Sequence, residues 1–255
     1  MFPEKSQMKI SIFQSEIGND PRMNKRKMRK NIDKLNVESM DILCLPELSI
    51  YGFDYEAIKN KSEEEIREQD KFFSQLSEMN KIFLIAGSLE KHEDEYYDSV
   101  KVFDYSGDMI GKYRKIHLWS EEKEFFTQGN RLEIININGW KIGLGICADL
   151  GFPEMIRELA RRDIDVFIFP SAWDASYEYL WELMIKARAA ENQAYVVGCN
   201  ACGDEYLGRS MVSDPSGEII ESAGVEEEVF TATLEKEKVE SKRKEIPWVT
   251  MSSDR

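Results

Sequence analysis

Three residues of this sequence have the types and the placing to share a reaction. Glu47 follows the apolar run Asp41-Ile42-Leu43-Cys44-Leu45-Pro46. Cys147 closes the run from Lys141 to Ile146, and Lys115 stands near the end of a hairpin arm. In parallel α/β sheets, reactive groups collect where strands end at their carboxyl edge. A carboxylate, an ammonium and a thiol at such ends could meet in one pocket. A thiol is only partly ionised at neutral pH, so it needs a base or a positive neighbour before it attacks. Taken singly, each residue has a plainer reading: a solvated loop carboxylate, a surface lysine, a small apolar core residue. The combination is what points to chemistry.

The elements that must position them alternate strand and helix. Met8 to Phe13 alternates as a first strand, and Pro21 to Leu35 reads as a helix. Asp41 to Pro46 is a continuous apolar run ended by proline, the pattern of a strand buried on both faces. Ser62 followed three residues later by Glu65 is a capping-box signature and opens a helix to Glu78. Ile82 to Ala86 is another buried strand, and Val100 to Leu118 a hairpin about Asp104-Tyr105-Ser106-Gly107-Asp108. Trp140 to Cys147, Pro153 to Arg162 and Asp165 to Phe169 form a βαβ unit, whose crossover makes a parallel sheet. A helix from Tyr177 to Gln193 is expected to cover a sheet with Leu180, Leu183, Met184, Ala187 and Ala190. Ala194 to Cys199 is a further strand.

A weak repeat runs through this order. Asp104-Tyr105-Ser106-Gly107-Asp108-Met109-Ile110 resembles Asp214-Pro215-Ser216-Gly217-Glu218-Ile219-Ile220, and each heads an apolar hairpin after a βαβ-type half. Two similar halves, each one mixed sheet with helices on its outer face, would pack as a four-layer α-β-β-α sandwich. The Glu- and Lys-dense stretch from Glu226 to Glu245 reads as a solvated helix or strand edge.

Composition narrows the partners. The 255 residues carry 34 Lys and Arg against 48 Asp and Glu, a formal charge of −14. That balance works against nucleic acid and anionic membrane, both of which need a basic surface. No stretch approaches the ~20 apolar residues that would span a bilayer, and Met1 to Lys9 lacks the apolar core of a signal peptide. Four cysteines in apolar stretches (Cys44, Cys147, Cys199, Cys202) read as reduced thiols of a cytoplasmic protein. Cys199-Asn200-Ala201-Cys202 is a C-x-x-C without a second ligand pair. Two histidines, His92 and His117, give metal ligation little support.

Leu45-Pro46-Glu47-Leu48, Tyr113-Arg114-Lys115-Ile116-His117-Leu118 and Gly145-Ile146-Cys147-Ala148-Asp149-Leu150-Gly151-Phe152-Pro153-Glu154 resemble, in order and spacing, the three signature segments of the nitrilase (carbon–nitrogen hydrolase) superfamily. Ala187-Arg188-Ala189-Ala190-Glu191-Asn192-Gln193 is similar to the family's helix before a core strand, and Gln14 also fits. The resemblance covers nearly the whole chain. It implies one hydrolase domain over residues 1–255, an α-β-β-α sandwich, a homodimer or larger assembly, and an amidase that needs no cofactor and acts on a small amide.

The resemblance also carries roles. Glu47 is the base, Cys147 the nucleophile, and Lys115 with the backbone N–H of Ala148 the oxyanion site. Phe126-Thr127-Gln128-Gly129 marks the family's aromatic-x-x-Gly stretch and points to Glu122, flanked by Glu121 and Glu124, as a second pocket glutamate that positions substrate. His117 reads as a packed or hydrogen-bonding neighbour. Trp173 is expected to line the pocket. Relatives acting on α-keto acid amides resemble this chain around Trp173 and Trp181, and often hold the substrate carboxylate with an arginine four residues after the first tryptophan. Here that position is Tyr177, between the carboxylates Asp174 and Glu178, which favours neutral or cationic amides unless Arg188 or Arg209 holds an acid.

Overall fold

The structure is a computed structural model and describes residues 4–32 and 40–251. In chain order the first half contains β1 (Gln7–Gln14), α1 (Pro21–Ile32), β2 (Ile42–Leu45), α2 (Tyr55–Ile58), α3 (Glu63–Asn80), β3 (Phe83–His92), β4 (Glu95–Phe103), β5 (Met109–Arg114) and α4 (Glu122–Phe125). The second contains β6 (Ile134–Ile137), β7 (Trp140–Leu144), α5 (Pro153–Ala160), β8 (Val166–Ser171), α6 (Glu178–Asn192), β9 (Tyr195–Asn200), β10 (Met211–Ser213) and β11 (Ile219–Ser222). The chain then returns to the first sheet with β12 (Glu228–Glu235) and ends in α7 (Lys236–Glu245) and α8 (Trp248–Met251).

Two six-stranded mixed sheets result, ordered β12-β1-β2-β3-β4-β5 and β11-β10-β9-β8-β7-β6. β1, β2 and β3 are parallel, as are β7, β8 and β9, and hairpins flank them. Period-2 alternation divides the residues of the first sheet. Met8, Ile10 and Ile12, then Ile42 and Cys44, then Val100 and Val102, join one core cluster with the second sheet and with α5 and α6. Leu43, Leu45, Leu84 and Ala86 point the other way, into a second cluster with Met28 of α1 and Phe72, Phe73 and Leu76 of α3. This is the four-layer α-β-β-α sandwich.

The repeat is real in three dimensions. Asp104 Oδ1 accepts the N–H groups of Ser106 and Asp108, and Asp214 Oδ1 accepts those of Ser216 and Glu218. Gly107 and Gly217 take φ of +83° and +85° in the two turns. Each hairpin shifts register at the same point, between Val102 and Phe103 and between Val212 and Ser213.

Several boundaries differ from the sequence reading. The last residues of the first helix as read, 33–35, lie outside the described residues. The strand read as Trp140 to Cys147 ends at Leu144, and Cys147 begins a 3-10 turn. β6 was not anticipated, because four residues beside a turn give too little periodicity. The covering face of α6 is corrected: Trp181, Ile185 and Ala189 are buried, whereas Leu183 is 61% exposed. Apolar residues occupy both sides of this helix, so periodicity could not choose. Gly198 decides it, since a Cβ there would stand 2.5 Å from the Trp181 ring. Among the described residues no helix is long and apolar enough to cross a membrane.

The capping box of α3 is formed in full, with the Glu65 N–H bonded to Ser62 Oγ and the Ser62 N–H to Glu65 Oε2. Ser62→Ala should therefore cost about 1 kcal/mol of stability and lower the melting temperature by about 2–4 °C, with turnover unchanged. Thermal melts of the two proteins check it.

Candidate active site

The three residues read from the sequence lie at strand ends, each fixed by a local feature. Pro46 stops β2, and Leu48 turns the chain with φ +43°. Gly87 of β3 lets that turn sit close: a Cβ on it would fall 2.1 Å from the Pro46 carbonyl oxygen and 2.5 Å from Glu47 Cα. Lys115 follows β5, its N–H bonded to the Asp98 carbonyl and its own carbonyl to the Gly129 N–H. Gly129 is again a close approach, 2.2 Å from the Arg114 oxygen for any Cβ, so the segment bearing Glu122 lies against the lysine. Cys147 has φ +42°, uncommon for a residue with a side chain and typical of strain held at a functional turn.

Asp149 locks the Cys147 turn to the lysine loop. It is fully buried, and Oδ2 accepts the Ile146 N–H at 2.9 Å and the Tyr113 hydroxyl at 2.7 Å. Oδ1 accepts both the backbone N–H and the Nδ1–H of His117. The His117 ring stacks on Phe152, with centroids 3.5 Å apart. His117 is therefore a bracing residue at the pocket rim.

At the centre is a buried ammonium. Lys115 Nζ lies 2.5 Å from Glu47 Oε1, 2.7 Å from Glu122 Oε1 and 3.3 Å from Asp98 Oδ2. Glu47 Oε2 also accepts the Ala172 N–H at 2.8 Å, and Glu122 Oε2 the Trp119 N–H at 2.7 Å. Burial pushes Lys115 down, but the three carboxyls outweigh it and hold the ammonium well above its ordinary value. Burial pushes Glu47 up. Lys115, by its charge and its hydrogen bond, together with the Ala172 N–H, overcomes this and holds Glu47 below the usual carboxylate value. Burial raises Glu122. Cys147 is half-buried, and loss of water around its sulfur, then the Glu47 charge, raise the thiol well above its ordinary value despite Lys115.

The remaining expected residues spread around this centre. Glu122 turns inward, while Glu121 and Glu124 are exposed. Ala148 follows Cys147 in the 3-10 turn. Trp173 is buried against Trp181, 5.3 Å between centroids, and donates Nε1–H to the Tyr177 carbonyl. Tyr177 is half-exposed and meets the Trp119 ring edge to face. Arg209 pairs with Glu178 at 3.0 Å, and Arg188 with Glu191 and the Leu150 carbonyl. Cys199 faces the Cys44 and Phe13 carbonyls between the sheets, away from Cys202 in chain direction and surroundings. The one acidic group among the described residues close enough to hold a metal is Glu47, Asp98 and Glu122, and its centre is filled by Lys115.

Sequence reasoning missed Asp98, Trp119 and Tyr206. Tyr206 lies near enough to Glu47 to feel its charge and packs on Phe53. Asp98 had a signal: it shares strand phase with Val100 and Val102, so the same alternation that buries them buries it.

Residues 9–244 match the family model described as carbon–nitrogen hydrolase. The omega-amidase NIT3 of Saccharomyces cerevisiae is 31% identical over 94% of this chain and 91% of that protein. A 2-oxoglutaramate amidase of Bacillus subtilis is 28% identical over 93% and 95%. The crystal structure of Saccharomyces cerevisiae Nit3 superposes with a TM-score of 0.88, at 28% identity, over 96% of both chains. The chain belongs to the carbon–nitrogen hydrolase family. It is a hydrolase of carbon–nitrogen bonds other than peptide bonds, in the amidase-like branch of the nitrilase superfamily.

For this hydrolase Gly87 is a sharp probe, because it bears no side chain of its own and lies against the backbone of Glu47. Gly87→Ala must push the Pro46–Glu47 turn away by about an ångström, which should cost about a hundredfold in kcat. Circular dichroism should still report a folded protein. A rate within threefold of the parent would show that the turn has slack.

Proposed function

We propose that this hydrolase is a cysteine-dependent amidase that releases ammonia from a small neutral or cationic amide through a thioester. The observation that carries the reading is the buried Lys115 ammonium held 2.5 Å from Glu47 Oε1, with the Cys147 thiol near enough to feel both groups. Glu47 takes the thiol proton as Sγ forms its bond to the amide carbon. The carbonyl π pair moves to oxygen, and the oxyanion is held by Lys115 Nζ and the Ala148 N–H. As the oxyanion collapses, the C–N bond breaks. The proton on Glu47 passes to the leaving nitrogen, and ammonia departs. Glu47 then draws a proton from water, hydroxide attacks the thioester, the C–S bond breaks, and the thiol recovers its proton as the acid leaves. Glu122, anchored by Lys115 and the Trp119 N–H, positions the substrate amide.

Residues 1–255 are read as one such domain. Four free thiols suit a reducing cytoplasm. Tyr179 and Leu183, 71% and 61% exposed on α6, supply apolar surface for a homodimer. The reaction is expected to run without metal or nucleotide. Carbamoyl or nitrile substrates and acyl transfer would use the same three residues; a panel of amides, nitriles and carbamoyl compounds sorts these.

Cys147→Ala should abolish ammonia release while leaving the fold intact, and Cys147→Ser should fail as well, because Glu47 is too weak a base for a hydroxyl. Lys115→Ala should cost about 10²–10³ in kcat, the scale of one oxyanion donor. Lys115→Arg should not rescue it, since a planar fork does not replace a compact ammonium. Retention of a tenth of the parent rate by Cys147→Ala would sink the mechanism.

Substrate charge is the second expectation. Tyr177 offers no cation, Asp174 and Glu178 flank it, and the two nearby arginines are engaged by carboxylates. A substrate carboxylate there meets repulsion without a bidentate partner. The measurement is kcat/KM for an aliphatic amide and its ω-carboxylated analogue. The neutral amide should win, and a tenfold preference for the acid, about 1.4 kcal/mol, would refute this.

A further inference from the structure

The three carboxyl groups around Lys115 are not equally provided for. Glu47 and Glu122 each accept a backbone N–H as well as the ammonium. Asp98 accepts neither a backbone N–H nor a side-chain hydrogen bond at either oxygen, although it is 1% exposed. Its contact with the cation, at 3.3 Å, is the longest of the three. One carboxyl oxygen from each of Asp98, Glu47 and Glu122 lies within 4.8 Å of the others. One ammonium cannot neutralise three such carboxylates, and an ionised carboxylate without donors in a dry site is the least tolerable of them. An oxygen with no donor pointing at it, beside a carboxylate that wants one, is where an extra proton belongs.

We propose that Asp98 is a neutral carboxylic acid in the resting enzyme, donating its O–H to Glu47 and so holding Glu47 as the single ionised base that faces the Cys147 thiol. This rests on the reading of Glu47 as the base. Asp98 touches no substrate and is a positioning residue. The groups that face it are Glu47 beyond β2, Lys115 beyond β5, Glu122 on α4 and Tyr55 on α2. Burial and the neighbouring Glu47 charge both push the Asp98 carboxyl up. With the proton on Asp98, the thiol proton has one acceptor.

The test compares Asp98→Asn, which keeps an N–H donor but has no acidic proton, with Asp98→Ala, which has no donor. Infrared difference spectra of the substrate-free enzyme read protonation directly. A carboxylic-acid C=O band should be present in the parent at neutral pH and missing from Asp98→Asn. In kcat/KM against pH, the acid limb reports Glu47. It should move by less than about half a unit in Asp98→Asn, since no charge is lost, and rise by about a unit in Asp98→Ala, where Glu47 loses a donor. Asp98→Ala should lower kcat about tenfold or more, and Asp98→Asn should bring it back to within about threefold of the parent, as for a hydrogen bond to a charged group. Loss of no acid band in Asp98→Asn, or a fall of its acid limb by about a unit, would mean that an ionised carboxylate had been removed, and would overturn the proposal. Should Asp98→Ala not fold, the spectrum and profile of Asp98→Asn still decide. The infrared reading needs no turnover, so a failure of Asp98 as an acid is distinguishable from a failure of Cys147 as the nucleophile.

Discussion

Stripping water from an ammonium costs several kcal/mol unless its partners are held in place, and Lys115 is stripped completely. Its partners come from separate elements of one half of the molecule: Glu47 beyond β2, Asp98 on β4 and Glu122 on α4. None of these could be held by local structure alone. The register of β2, β3 and β4 sets the distance between Glu47 and Asp98, and the missing side chain of Gly87 lets the strand ends meet. Cys147 alone comes from the other sheet. In the proposed mechanism the acid–base groups belong to one half of the sandwich and the nucleophile to the other, so the site is complete only when the two sheets are packed. The large core cluster that joins both sheets is therefore a condition of the chemistry as well as of stability.

Two polar exchanges fix how the halves meet. From the second sheet, the Ala172 N–H at the end of β8 reaches back to Glu47. From the first, Tyr113 of β5 and His117 beyond it bind Asp149 in the Cys147 turn. The bonds are reciprocal: each half supplies donors to a carboxylate of the other. They also hold the backbone at Leu48 and Cys147, with φ of +43° and +42°. Left-handed turns at residues with side chains cost about 1–3 kcal/mol each, and they persist where the surroundings over-determine them. Within the second half, Arg188 of α6 bonds the Leu150 carbonyl at the end of the same turn.

What the sequence disclosed and what it hid follow from how local each signal is. The capping box at Ser62, the Asp-x-Ser-Gly turns and the apolar runs of β2, β3 and β8 are written within a few adjacent residues, and their elements appear where expected. The strand-end residues Glu47, Lys115 and Cys147 were visible because strand ends are. The face of α6 was not, since a helix apolar on two sides chooses by what it lies on, and Gly198 is in another element. Asp98 was passed over because an aspartate in Tyr-Tyr-Asp-Ser looks like a solvated strand end. Its burial depends on β4 lying between β3 and β5, and on Glu47 arriving from a strand some fifty residues earlier. Charge clusters assembled from four elements leave no spacing to read.

The balance of protonation in this cluster also explains how one carboxylate can serve twice. Glu47 is held below the ordinary carboxylate value and Cys147 above the ordinary thiol value. In the proposed mechanism the proton moves only as the C–S bond forms, when negative charge is leaving sulfur for the carbonyl oxygen, where Lys115 can meet it. A carboxyl so depressed is a reluctant base but a strong acid once protonated. It cannot keep the proton, and the nearest stronger base is then the nitrogen of the breaking C–N bond. The ion pair that makes the first transfer uphill drives the second, and that asymmetry gives proton flow in this site its direction, from sulfur to the leaving amine.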